Sequence, residues 1–504
     1  MRNKKLQPLI YSFLIIIGLL LGHQISITTD QQSNYKKIYG VVDLIQDHYV
    51  DTINKKIFEN KIVDGILENL DPHSAYINPE HLKEVEEDMQ GSFSGIGVQF
   101  NIIEDSIVVV APISGGPSEK LGVLSGDRIV EVDGENVGNI KIKNEGVIKR
   151  LRGKKGSVVN IKIYRQGNRD LLDFAILRDD IPLYSVDASM MLGKHIGYVK
   201  INRFSATTFD EFLEGINNLL GEEMKKLILD LRGNPGGYLG MAIGICDAIL
   251  EKNDLIVYTE GRNRPRSEVY SKGKGLLENI EIIVLIDEGS ASASEIVSGA
   301  IQDNDRGTIV GRRSFGKGLV QEQINLTDGS AIRLTTQRYY TPSGRCIQKD
   351  YGSNKKEYYL EHYSRTEKQD TVDLLVYTTK NGRKVYGGGG ITPDIIIERD
   401  SNTNYSQINL VVSKGWVNEF CLKHSLLLKK GINQHNFIAK NNQNMIYEEF
   451  LSFIKEKDPN IKLSLGLVEL LYFKTLLKAT IARNLWGTET YYEILNKEDE
   501  FVKK

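Results

Sequence analysis

The sequence predicts an α/β core, a mixed sheet with flanking helices. A smaller β-rich module joins this core, and helical regions lie at both ends. Three observations carry this. Over residues 181–400, apolar strand-like runs alternate with amphipathic helical ones. Over 91–180, short strand-like runs are separated by glycine-rich turns. Outside these stretches, apolar residues recur at three- to four-residue steps. The 504 residues suit about three domains.

Each region has its own signature. Residues 1–28 hold Arg2, Lys4 and Lys5 before an uncharged apolar run over 9–22, the order of a signal peptide or membrane anchor. No small-x-small site is evident at 22–26, so removal and retention both stay open. Export to the cell envelope, on the periplasmic side, follows, with membrane contact through this segment. Over 29–90, Ile38, Val41, Val42, Ile45 and Tyr49, then Phe58, Ile62, Ile66 and Leu70, fall at helical steps. Asp71 and Pro72 end that pattern within LDPHSAY, residues 70–76. The 91–180 module predicts strands at 98–100, 107–110, 128–132 and 158–164, with two short helices. In the last strand Val159, Ile161 and Ile163 face inward. The 181–400 core predicts strands at 196–201, 227–231 and 282–286, and helices at 209–220, 238–250 and 292–301. Its polar stretch 352–384 reads as a surface insertion. Residues 401–504 read as helical, with Leu463, Leu467, Leu470, Leu471, Leu477, Trp416 and Trp486 as core, and as a candidate element for self-association.

Composition removes several function classes. Lys and Arg number 64 against 66 Asp and Glu, a net charge of −2, so no basic footprint for nucleic acid exists. Cys246, Cys346 and Cys421 are too few and scattered for a disulfide framework or zinc site. No metal-ligand spacing is evident, and no cofactor is expected.

The chemistry concentrates at 282–321. Ser292 and Glu295 form an S-x-x-E capping box, which puts Ser292 at a helix N-cap. The free N–H groups there, beginning with Ala293, suit a developing oxyanion beside a serine nucleophile. An ordinary serine cap fits the same four residues. A nucleophile needs a base, and two kinds are open. Lys317, set in FGKGLV, acquires a lowered pKa in apolar surroundings. His48, His73 and His195 are distant in sequence and reach Ser292 only through the fold. The stretch 311–317 also fits G-x-x-x-x-G-K, but Gly318 stands where the magnesium-binding Ser or Thr belongs, so this P-loop is incomplete.

These residues identify a family likeness. GSASASE (289–295) followed by SFGKGLVQ (314–321) closely resembles the carboxy-terminal processing, or tail-specific, serine peptidases. DLRGNPGG (230–237), LTTQRYYTPSGRCIQ (334–348), GGGITPDI (388–395) and LDPHSAY are also family-like, so the likeness spans about 35–400. The resemblance implies Ser292 as nucleophile, Lys317 as general base and Gln321 as the residue orienting it. It also implies oxyanion N–H groups from Ala293 and from Gly237 or Gly236. The β-rich module resembles a PDZ domain. Gly95, Ile96, Gly97 and Val98 would form its carboxylate-binding loop, with the substrate tail added as an edge strand. The resemblance thus implies an endopeptidase cutting proteins near exposed C-terminal tails. The rival readings are a non-catalytic PDZ scaffold and a serine hydrolase with a distant histidine.

Overall fold

The computed structural model describes residues 16–17, 35–273, 275–352, 354–364, 375–399, 403–428 and 432–504. The apolar run at 9–22 therefore lies outside the described residues, apart from 16 and 17. Among the described residues no helix is long and apolar enough to cross a membrane. The chain divides into two compact units, Met1–Leu70 and Asp71–Lys504. In the first, helices Lys36–His48 and Lys55–Leu67 follow the apolar periodicity, and the Asn54 side chain caps the second by accepting from the Ile57 N–H. Ile38, Val41 and Tyr49 stay exposed, and no residue of Lys36–His48 is buried.

The centre of the second unit is a six-stranded sheet. Its order is Val186–Gly193, Ile196–Ile201, Lys226–Asp230, Glu281–Ile286, Gly307–Gly311 and Ile395–Ile396. The first pair is antiparallel and the rest are parallel. Alternation sends Val199, Leu227, Leu229, Ile282 and Val284 to one face. There they pack on Phe212, Ile216, Ile245, Ile249, Ile296 and Val297. These come from helices Thr208–Gly221, Leu239–Ile249 and Ala293–Asp303. The other face, with Tyr198, Ile228, Leu285 and Val310, is covered by Phe501 and Tyr492 from the chain's end. Both faces are thus buried, which is why these strands read as continuous apolar runs.

A second sheet has strand Ala331–Tyr340 at its centre. Ala75–Ile77, Leu319–Asn325 and Leu255–Gly261 pair with it, and Arg264–Tyr270 forms the edge. Within the region 29–90 read as helical, the chain after the stop at Asp71 and Pro72 supplies the strand Ala75–Ile77 before the helix Pro79–Gln90. A three-residue strand carries too little periodicity to be visible in sequence.

The β-rich module contains strands Val98–Ile103, Ser106–Pro112, Arg128–Val132, Val158–Tyr164 and Leu172–Leu177, paired in that order. Val159 and Ile163 are wholly buried and Ile161 nearly so. The C-terminal helices build their own core around Phe420, Phe437, Phe450, Phe473 and Leu477, with Trp416 and Trp486 against it. Leu467 and Leu471, expected in that core, are exposed: their helix Leu467–Trp486 turns this side to solvent. Leu422 from the same region packs on Ile103, Val108 and Val110 of the β-rich module.

The helix that follows Ser292 is anchored at its far end by a buried ion pair. Arg345, fully buried, donates to Asp303 Oδ1 and Gln302 Oε1, both at 2.7 Å, and to the Tyr386 carbonyl. Removing the cation strands a buried carboxylate. Arg345→Met is expected to lower stability by about 3–5 kcal/mol, measured by urea denaturation.

Candidate active site

Ser292 sits where the strand Glu281–Ile286 turns into the helix Ala293–Asp303. Its φ of +54° is unusual for a residue with a side chain, and such backbone persists only where its surroundings hold it. Those surroundings are specific. Asp287 N–H donates to Ser290 Oγ, and Ser290 Oγ donates to the Leu231 carbonyl at 2.9 Å. Ser294 Oγ donates to the Asn234 carbonyl at 3.0 Å. Of the three serines in GSASASE, the outer two are buried and spend their hydroxyls on backbone. The middle one, Ser292, lines a cavity of about 800 Å³. Its hydroxyl donates to no group among the described residues.

The turn 230–237 closes on the same point. A Cβ on Gly236 would lie 2.7 Å from Ser292 Cβ and 2.9 Å from the Ala293 nitrogen, so only glycine allows this approach. Gly236 N–H is already held by Asn234 Oδ1 at 2.8 Å. Gly237, at φ +146°, forms a bridge with Phe204, and its N–H has no partner among the described residues. The same holds for Ala293 N–H, at the first position of its helix. Gly236, Gly237, Ser292, Ala293, Lys317 and Gln321 all line the one cavity.

Glu295 joins the serine turn to the lysine loop. It is fully buried and accepts from four donors. Oε2 receives Ser292 N–H at 2.8 Å and Lys317 N–H at 2.9 Å. Oε1 receives Ser314 Oγ at 2.6 Å and Gly316 N–H at 2.7 Å. Burial pushes its pKa up, and the four donors oppose that rise. The glycine loop that superficially fits a phosphate cradle thus points its N–H groups at a carboxylate of the chain itself. Tyr339, also buried, lies 3.0 Å from the Ser292 carbonyl and 2.6 Å from the Lys317 carbonyl through its hydroxyl. Sequence reasoning gave Glu295 only a capping role and Tyr339 none. Nothing local marks either, because every partner but Ser292 is at least 19 residues away.

Lys317 Nζ donates to Gln321 Oε1 at 2.9 Å, and Gln321 Nε2 donates to the His73 carbonyl at 2.6 Å. No hydrogen bond joins Nζ to Ser292 Oγ among the described residues. Desolvation, then the nearby Arg333 charge, lower the Lys317 pKa to about 8. His73 offers Gln321 its carbonyl, while its ring meets the Tyr358 hydroxyl at 2.8 Å. His195 is engaged with the Glu223 carbonyl and does not line the cavity.

The sequence profile of peptidase family S41 matches residues 195–354, and that of a PDZ domain matches 94–176. A carboxy-terminal-processing protease of Bartonella bacilliformis is 39% identical over 341 residues, covering 66% of this chain and 77% of that one. The chain belongs to peptidase family S41. It is a serine peptidase with a PDZ domain. The carboxy-terminal processing protease CtpB of Bacillus subtilis is 35% identical over 62% of this chain and 65% of its own length. Among solved structures, a photosystem II D1 C-terminal processing protease covers 71% of this chain and 86% of that one, at 24% identity and a TM-score of 0.39.

In the PDZ domain of this S41 peptidase, Gly95 ends the strand Ser92–Gly95 and Val98 opens the edge strand Val98–Ile103. Gly97 takes φ +72° between them. The Ile96 side chain is buried, and its carbonyl accepts from Ser118 N–H and Oγ. The Ile96 and Gly97 N–H groups have no partner among the described residues.

Glu295→Gln puts an amide NH₂ against donors that need acceptors. A loss of about 3 kcal/mol, read by thermal or urea unfolding, is expected, together with loss of peptidase activity.

Proposed function

We propose that this S41 peptidase cuts proteins near exposed C-terminal tails with a Ser292–Lys317 dyad. One observation carries the reading. Among the described residues, Ser292 alone of the three GSASASE serines gives its hydroxyl proton to no carbonyl, and it lines the same cavity as an amine whose pKa is drawn down to about 8. At pH 8 about half of such an amine is neutral and able to take a proton. Neutral Lys317 removes the Ser292 proton as Oγ attacks the scissile carbonyl carbon. The oxyanion is held by the Ala293 and Gly237 N–H groups, which have no partner among the described residues, whereas that of Gly236 is occupied by Asn234. Protonated Lys317 then gives its proton to the leaving amine as the C–N bond breaks. Water, deprotonated by the same lysine, releases the acyl group as a carboxylic acid. Gln321 orients the amine, supported by their 2.9 Å contact.

The distant-histidine alternative finds less support. The His73 ring is engaged by Tyr358, and His195 by Glu223. Substrate tails are captured by the PDZ loop. The Ile96 and Gly97 N–H groups, without partners among the described residues, meet the terminal carboxylate, and the edge strand Val98–Ile103 accepts the tail as a strand. The basic start and apolar run at 1–28 support export to the envelope, with that segment as signal or anchor.

Mass spectrometry of fragments from a disordered tail substrate tests the dyad. Ser292→Ala and Lys317→Ala should each lower cleavage at least about a thousandfold and leave the fold intact. In the wild type kcat/KM should rise with pH through about 8, because a lowered lysine pKa makes the base available as pH increases. Full activity in either variant contradicts the reading. Amidating the substrate's C-terminus should weaken PDZ binding by about tenfold or more, and equal affinity contradicts carboxylate capture.

A further inference from the structure

The polar stretch 352–384, expected to be a surface insertion, sends one side chain deep into the molecule. Helix Lys355–Ser364 places Tyr358 in the interior, 4% exposed. Its ring packs edge-on against Phe315 and His73, at centroid distances of 5.6 and 5.3 Å. Lys349, also buried, fixes the helix by donating to the Tyr358 carbonyl at 2.7 Å and to Glu361 at 3.0 Å.

The Tyr358 hydroxyl completes a closed circuit around Lys317. Gly318, the residue after the lysine, donates its N–H to Gln348 Oε1 at 2.9 Å. Gln348 Nε2 donates to the Tyr358 oxygen at 3.2 Å. That leaves the tyrosine proton for the lone pair of His73 Nε2, 2.8 Å away. The His73 carbonyl receives Gln321, and Gln321 receives the Lys317 amine. The turn that presents this carbonyl is itself locked. Asp71 accepts from the N–H groups of His73 and Ser74 and from the hydroxyls of Ser74 and Thr335. Tyr359 OH donates to the neighbouring Pro72 carbonyl at 3.0 Å.

We propose that Tyr358 is a positioning residue for catalysis, and that helix Lys355–Ser364 sets the orientation of the Lys317 amine through Gln348, His73 and Gln321. The inference rests on the dyad reading and adds to it a control element in a segment outside the core motifs. The charged groups acting on the His73 ring are Lys317, Asp71, Lys349 and Lys355, and burial and these cations keep the ring neutral, with a pKa near 4. Those acting on Lys317 are Arg333, Glu295 and Asp71. A neutral His73 can accept the tyrosine proton throughout the pH range where a base near 8 operates. In this proposal the circuit holds the amine in its desolvated position, so opening it lets the amine reach the cavity's water and raises its pKa.

The test is the pH profile of kcat and kcat/KM in the full chain. Tyr358→Phe keeps the ring packing and removes only the hydroxyl. It should lower kcat roughly tenfold with KM little changed, and move the rising limb upward by about half a pH unit or more. Combined with Gln321→Leu it should cost no more than Gln321→Leu alone, because both open one circuit. Glu357→Gln, exposed on the same helix and outside the circuit, should keep the wild-type profile. An unmoved limb in Tyr358→Phe, an additive double variant, or an equal shift in Glu357→Gln overturns the proposal. Lys317→Ala measured alongside separates the two readings. If it stays active, the dyad and the circuit both fall. If it is dead while Tyr358→Phe behaves as wild type, only the circuit falls.

Discussion

The site depends on one buried carboxylate. Glu295 takes two N–H groups from the serine turn and lysine loop on one oxygen, and a hydroxyl and an N–H from residues 314 and 316 on the other. A charge buried this fully is costly unless every lone pair is used. The four donors offset that cost only when the two loops adopt their observed conformations. The carboxylate therefore couples the backbone of Ser292 to that of Lys317, although 25 residues separate them in the chain. The Tyr339 hydroxyl also reaches the carbonyls of both residues, so the two segments are tied by a carboxylate and a hydroxyl at once.

From this coupling the rest of the geometry follows. Ser292 can keep a positive φ because Glu295 holds its N–H, and Gly236 fits against it because no side chain intervenes. The N–H groups of Ala293 and Gly237 are left without partners among the described residues, beside a serine that lines the same cavity. Under the proposed reading, these donors are set in advance for the charge that develops on the substrate oxygen during acyl transfer. The lysine is treated in the same way: burial weakens its charge, and a single amide, itself pinned by a backbone carbonyl, receives it.

Much of this was legible in the sequence. The strand 196–201 and the strand 158–164 occur with the expected bounds, because alternation and continuous apolar runs are local signals. The cap at Ser292 was legible from S-x-x-E, and the grouping of Ser292, Lys317 and Gln321 followed from the family likeness. What sequence reading missed is long-range. Glu295 looks like a capping glutamate because its partners at 314, 316 and 317 cannot be inferred from spacing. The strand Ala75–Ile77 exists only through its pairing with Ala331–Tyr340. Tyr358 lies in a charged stretch whose composition argues for solvent, yet its ring is buried against Phe315 and His73. Phe501 and Tyr492 cover the rear of the central sheet from the end of the chain, a role no local periodicity announces.

The central claim is that the fold makes Lys317 a base. The direct measurement is NMR titration of protein carrying ¹³Cε-labelled lysine, with the Lys317 signal assigned by its loss in Lys317→Arg. The account predicts one lysine that titrates near 8 and disappears in that variant. A Lys317 signal titrating at the ordinary lysine value, about 10.4, would contradict it.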